Sequence, residues 1–185
     1  ADAANYNVVQ PTGLTANITA KALTVDAKDK VSTYGDGATL NGATGFTATG
    51  LVGTESIGSV TLADNATTST SGNKEAGSWN ITASNATGGT FDANNYAITY
   101  TGGTWDIAKK NLTIDSGTII ANNKVYDGNT VAVINASGAT FGGKVGTDVI
   151  TVNTAGATGN FVDKNVGNGK VVNGSGIAIT GADAA

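Results

Sequence analysis

The chain has 185 residues, a formal net charge of −4 and a charged fraction of 13%, about half of the usual share. It contains no His, Cys, Met or Arg. That excludes metal centres built on imidazole or thiolate, cysteine nucleophiles, the Ser-His-Asp arrangement and bidentate arginine clamps. The acidic balance argues against nucleic acid as a partner, and no run reaches the roughly eighteen apolar residues of a membrane-spanning helix, so no membrane insertion is expected.

In chain order, Tyr6 and Val8, then Leu14, Ala16 and Ile18 beyond Gln10-Pro11-Thr12-Gly13, alternate with polar residues. This predicts two short strands around a turn within residues 1–20. The same layout recurs at Tyr96-Ile98-Tyr100, Gly102-Gly103 and Trp105-Ile107, and both copies run into a lysine and an alternating strand, Lys21 to Val25 and Lys110 to Ile114. Asp2, Asp92 and Asp183 open the recurring string at spacings of 90 and 91 residues. The expectation is a piece of a tandem array: 1–20 the terminal strands of a preceding unit, 21–108 a full unit, and 109–185 a second unit without its last strands.

Within the first unit Leu23, Val25 and Ala27 make one inward face, Tyr34-Gly35-Asp36-Gly37 a turn, and Phe46, Leu51, Ile57, Val60 and Leu62 further apolar positions. Residues 63–76 read as the least ordered part, and Trp79, Ile81 and Ala83 restore period two. The second unit repeats the plan through Leu112 and Ile114, Lys124-Val125-Tyr126-Asp127-Gly128, Val149 to Val152, Phe161 and Ile177 to Ile179. No window sustains helical periodicity. The expected fold is all-β: two small tandem β-sandwich-like modules joined by a short linker at Ala108-Lys109-Lys110, the inter-module seam and the expected source of stiffness. The alternative is a β-grasp-like module with one short helix near 63–76.

Tyr34, Gly35 and Asp36, and likewise Tyr126, Asp127 and Gly128, read as structural turn motifs with the tyrosine hydroxyl at the surface, in preference to sugar contacts. Asp26, Asp29, Asp106 and Asp115 near the predicted seams are the candidates for calcium. No Asp-x-Asp-x-Asp loop accompanies them, so no cofactor is expected. Lys109, Lys110 and Asp163-Lys164-Asn165 offer the residue types of a Lys-Asn isopeptide bond, which needs a buried lysine. No catalytic constellation can be assembled, and the chain is not read as an enzyme.

Tyr126-Asp127-Gly128-Asn129-Thr130 and Phe161 to Lys170 make the second unit resemble the YDG repeat of large bacterial surface proteins. Tyr34-Gly35-Asp36, Gly50 to Gly53, Gly77 to Ile81, Asn95 to Ile98 and Gly103 to Ile107 make the first resemble its companion, the mostly-β, glycine-rich (MBG) repeat. The resemblance implies a secreted, extracellular stalk segment of a filamentous-haemagglutinin-like adhesin, serving cell attachment or biofilm formation, whose partners are neighbouring repeats of the same polypeptide. The alternative is a module that binds cell-surface or matrix glycans through exposed Tyr, Trp79 or Trp105. A narrower expectation is head-to-tail strand exchange, in which residues 5–20 of one chain add to the open edge of another.

Overall fold

The structure, a computed structural model, describes residues 2–184. Ala1 and Ala185, the outermost alanines of the recurring string, lie outside the described residues. The first unit holds seven strands: β1 (Lys21–Ala27), β2 (Lys30–Thr33), β3 (Phe46–Thr49), β4 (Ile57–Asp64), β5 (Gly77–Gly89), β6 (Tyr96–Thr101) and β7 (Gly103–Ala108). They form two sheets, ordered β3-β1-β6 and β2-β7-β5-β4.

Two of the pairings are parallel. Lys21 lies opposite Tyr96 at the start of β1 and β6, and Thr33 opposite Ala108 at the end of β2 and β7. Each pair of consecutive strands therefore crosses together from one sheet to the other. The crossing is tight: a Cβ on Gly103 would stand 2.7 Å from the Ala27 carbonyl oxygen, so only glycine fits there. β5 runs the opposite way, with Gly77 beside Ile107 and Gly89 beside Ile57. The chain accordingly enters the unit at one end and leaves it at the other.

Apolar side chains from these strands fill two adjoining clusters. One joins Leu23, Val25, Val60, Ala86 and Tyr96; the other joins Ala27, Ile81, Trp105 and Ile107, with Leu62 touching both. β5 serves both clusters because of a bulge. Where β4 steps from Ser59 to Thr61, its partner on β5 steps from Thr87 to Ser84, so β5 carries one extra residue. Asn85, at φ 50°, supplies the kink, and the inward face passes from Ile81 and Ala83 to Ala86. The Ala86 N–H donates to the Tyr100 hydroxyl at 2.9 Å.

The second unit has shorter strands: β8 (Thr113–Ile114), β9 (Ile120–Ala121), β10 (Val131–Ala132), β11 (Ile134–Asn135), β12 (Phe141–Gly142), β13 (Thr151–Asn153), β14 (Thr158–Phe161), β15 (Val172–Ser175) and β16 (Ala178–Thr180). β8 pairs antiparallel with β12 as β1 does with β3. β13 and β14 pair with β16 and β15 as a broken counterpart of the β4–β5 hairpin. Its core is thin: of the buried hydrophobic residues among those described, only Ala132 belongs to it.

The all-β, two-module expectation matches this architecture. Two local expectations do not. Residues 6–20 form no strand and are exposed throughout, because an isolated pair of short strands has no apolar face to cover it. Residues 63–76 contain no helix; β4 runs to Asp64, and the rest closes on an antiparallel bridge between Thr68 and Lys74. Trp105 is the largest fully buried side chain. Trp105→Ala should therefore lower unfolding free energy by about 3–5 kcal/mol, whereas Val31→Ala, 80% exposed on β2, should change it by less than about 0.5 kcal/mol. Urea titration followed by Trp79 fluorescence measures both.

Candidate functional site

The Tyr34-Gly35-Asp36 turn closes β2. Thr33 N–H donates to the Asp36 carboxylate at 3.0 Å, Asp36 N–H to the Thr33 carbonyl at 3.1 Å, and Gly35 sits at φ 81°. Tyr34 N–H donates to the Ala108 carbonyl at 2.9 Å, which pins the start of the linker. Beside this turn stands the loop 65–76. Ser69 N–H bonds the Asn73 carbonyl at 2.8 Å, Glu75 N–H the Thr67 carbonyl at 2.9 Å, and Lys74 pairs with Asp64 at 2.7 Å. Thr67 to Glu75 is thus a small hairpin with Ser69, Thr70 and Ser71 at its tip.

The turn and the hairpin tip meet the second unit on two aspartates. Asp148 is 3% exposed, and a buried carboxylate needs donors. Its Oδ1 accepts from the Tyr34 hydroxyl at 3.0 Å and from the Ser71 hydroxyl, while Ser69 Oγ lies 3.0 Å from the same tyrosine oxygen. Asp183 accepts from Thr70 N–H at 2.7 Å, the Thr70 hydroxyl at 2.5 Å and Val149 N–H at 2.8 Å. These bonds, the Thr70 hydroxyl foremost and then the Val149 N–H, hold the Asp183 carboxyl below the ordinary carboxylate value. A Cβ on Gly35 would stand 2.5 Å from Val145 Cγ2, so the two units touch there without room for a side chain. Beside the contact lies a cleft of about 250 Å³ with Lys109, Lys110, Leu112, Val145, Ile150 and Asp183 in its lining.

The sequence-selected residues divide between this seam and places away from it. Tyr34 has its hydroxyl in the inter-unit contact and not at the surface, since the buried Asp148 carboxylate draws the donor. Ala108 leads into the linker, whose Lys109 and Lys110 are exposed; the coupling between the units runs through Tyr34, the hairpin tip, Asp148 and Asp183. Tyr126 is exposed. Asp127 accepts from Lys124 at 2.8 Å and from Asn129 N–H at 3.1 Å around Gly128 at φ 80°, and Lys124 sits 5.7 Å from the centre of the Phe161 ring. Hydrogen bonds from Lys124 to Asp127 and from Lys170 to Asp163 hold both carboxyls below their ordinary value.

The calcium candidates are dispersed, each on its own partner. Asp26 accepts from Thr101, Asp29 from Thr104 N–H at 2.7 Å, Asp106 from Ser78 at 2.6 Å and Asp115 from Thr140 at 2.6 Å. Among the described residues no three acidic groups gather as a metal site would require. Lys164 and Asn165 are exposed, without the dry surroundings of an isopeptide bond. Of the two tryptophans, Trp105 is buried with its Nε1–H on Ser32 at 2.9 Å, and Trp79 donates to the Glu75 carbonyl at 2.9 Å.

Residues 23–106 match the MBG domain (YGX type) and residues 108–185 match the YDG domain. The chain is an MBG domain followed in tandem by a YDG domain. Both are repeat modules of large surface proteins, and neither is a known enzyme family. Among curated proteins and solved structures, none matches the chain.

Asp148 and Asp183 escape motif reasoning, yet one signal marks Asp148. Val145-Gly146-Thr147-Asp148-Val149-Ile150 in the YDG domain repeats Val52-Gly53-Thr54-Glu55-Ser56-Ile57 in the MBG domain. Glu55 likewise accepts from a tyrosine hydroxyl, that of Tyr96, whose oxygen accepts from Val52 N–H at 3.0 Å. The acidic position of the string is a tyrosine acceptor in both domains.

Two outcomes check this contact. Tyr34→Phe leaves Asp148 with one donor fewer and should weaken the coupling by about 1 kcal/mol, raising tryptic cleavage after Lys109 and Lys110 roughly 5-fold; Gly35→Ala should act in the same direction. Acid should act as well. Because the folded Asp183 carboxyl titrates below its unfolded value of about 3.9, its contribution is present above that pH and is lost as pH falls through the folded value. Asp183→Asn should flatten this acid dependence of cleavage, measured with an acid-active protease.

Proposed function

We propose that the chain is a stalk segment of a large secreted bacterial adhesin, placed outside the cell and projecting a distal adhesive region for attachment or biofilm formation. One observation carries the reading: the parallel strand pairs bring the chain into the MBG domain at one end and out at the other, where Tyr34 and the hairpin tip hold the next domain. A unit threaded in this way adds length with every repeat, and the clasp resists bending at the joint. The family membership supports the same class of protein, since both domains are repeat modules of large surface proteins. Few charges and many hydroxyl and amide side chains suit a surface that meets solvent on every side.

Small-angle scattering tests the reading on a chain beginning at Lys21, which leaves out the arm whose residues 2–20 are exposed. The 13-residue β5 sets a domain length of roughly 43 Å, so two domains in line should give a maximum dimension near twice that. A radius of gyration near the ~15 Å of a compact globule of this size would sink the stalk reading. Specific binding of the folded chain on a glycan array would instead favour the glycan-binding module.

A further inference from the structure

We propose that the pocket behind the Tyr34 turn of the MBG domain binds one neutral hexose ring. The inference rests on the glycan-binding reading, to which it gives a site, and it stands whether or not the chain is a stalk.

The pocket is lined by MBG residues alone. It lies between the turn that closes β2 and the hairpin 67–75 and encloses about 250 Å³. Sites for drug-sized ligands start at about 300 Å³, so this space takes a single ring and is too small for a peptide segment. Trp105 and Ile107 form its floor. Both are buried in the second apolar cluster, so the floor is nonpolar and fixed. Gly37 and Gly72 stand on the rim, where a Cβ on either would meet nothing within 4 Å, and the mouth is open on that side.

The polar groups of the wall are only half used by the fold. Asp36 holds the Thr33 N–H on Oδ2 at 3.0 Å, while its Oδ1 has no hydrogen-bond partner among the described residues. Asn73 donates from Nδ2 to Ser71 Oγ at 2.8 Å, which leaves its Oδ1 as an acceptor. Ser32 Oγ accepts from Trp105 Nε1–H at 2.9 Å and keeps its own O–H to donate. Lys74 bonds Asp64 at 2.7 Å and has further N–H groups. Donors and acceptors therefore stand around an apolar floor. A pyranose presents the complement, a C–H face and a ring of hydroxyls that each donate and accept.

Charge selects among sugars. Lys74 is paired with Asp64, whereas no cation pairs with Asp36 among the described residues. The pocket thus has a negative field, and the chain's net charge of −4 adds to it. An acidic sugar is repelled and a neutral one is not. The aromatic ring of the site is Trp105 and not Tyr34, whose hydroxyl is engaged by Asp148. One turn accordingly serves two faces, with Tyr34 toward the next domain and Asp36 toward the pocket.

Saturation-transfer NMR on the full chain reads the site, with glucose, galactose, mannose, their methyl glycosides and glucuronic acid as probes. At least one neutral hexose should bind with a Kd of ~1 mM, the scale of a small site with few polar contacts. Glucuronic acid should bind roughly 5-fold more weakly. Asp36→Asn keeps an oxygen for the Thr33 N–H, so the turn persists, which circular dichroism checks. It should weaken the neutral hexose roughly 5-fold and remove the discrimination against glucuronic acid. Equal affinity for a hexose and its methyl glycoside supports the proposal with the end of a glycan chain as ligand, and binding of the free hexose alone supports it with a free sugar. No transfer to any probe at roughly 50 mM, glucuronic acid bound as tightly as the hexose, or affinities that Asp36→Asn leaves unchanged would each overturn it. A glycan-array signal that survives Asp36→Asn would remove the pocket and keep the glycan-binding reading.

Discussion

The constraint on which the rest depends is the parallel laying of β6 and β7 beside β1 and β2. Antiparallel hairpins return the chain to where it started, whereas a parallel pair requires a long excursion between its strands. Here β3, β4 and β5 are that excursion: β3 joins β1 in the first sheet, while β4 and β5 join β7 in the second and bring Val60, Leu62, Ile81 and Ala86 to the clusters. Because the parallel strands cross between sheets in step, the last strand ends opposite the end of β2, and the next domain begins at the far end. The glycines at 102 and 103 let the crossing happen against the backbone of Ala27 and Ile81. Threading, core and direction of growth follow from the same pairing.

At the joint the polar chemistry is unusual in using hydroxyls where a surface of ordinary charge would use lysine or arginine. A buried carboxylate met by a cation gives an attraction that falls slowly with distance and tolerates many orientations. A carboxylate met by tyrosine, serine and threonine hydroxyls and a backbone N–H demands short, directed contacts. Asp148 and Asp183 therefore fix an orientation as well as a proximity, and the Gly35–Val145 contact removes the slack beneath them. The low charge of the chain and the specificity of its seam are two expressions of one composition.

How much of this was legible in the sequence depends on how far apart the partners lie. Period-two runs such as Leu23, Val25 and Ala27 declare β1 because alternation is local, and the repeated strings declare two modules. Residues 6–20 carry the same alternation and form no strand, since a strand needs a neighbour as well as a pattern. The threonine and serine run after Asn65 reads as loose because its partners, Asp148 and Asp183, lie 77 and 113 residues away from Ser71 and Thr70. The Tyr34 hydroxyl escapes local reading for the same reason: its acceptor is 114 residues distant. Only the recurrence of the Val-Gly-Thr-acid string, read beside the tyrosines, carried a trace of it.

The two domains also differ in how they are stabilised. The MBG domain closes its own core, so its cooperativity is internal. Among the described residues of the YDG domain only Ala132 is a buried apolar side chain, and the buried carboxylate of Asp148 is satisfied from the MBG domain. The seam itself is held by a few directed hydroxyl and N–H contacts, fewer than the ladder bonds that tie the seven strands of the MBG domain to one another, so the joint opens at lower cost than the domain unfolds.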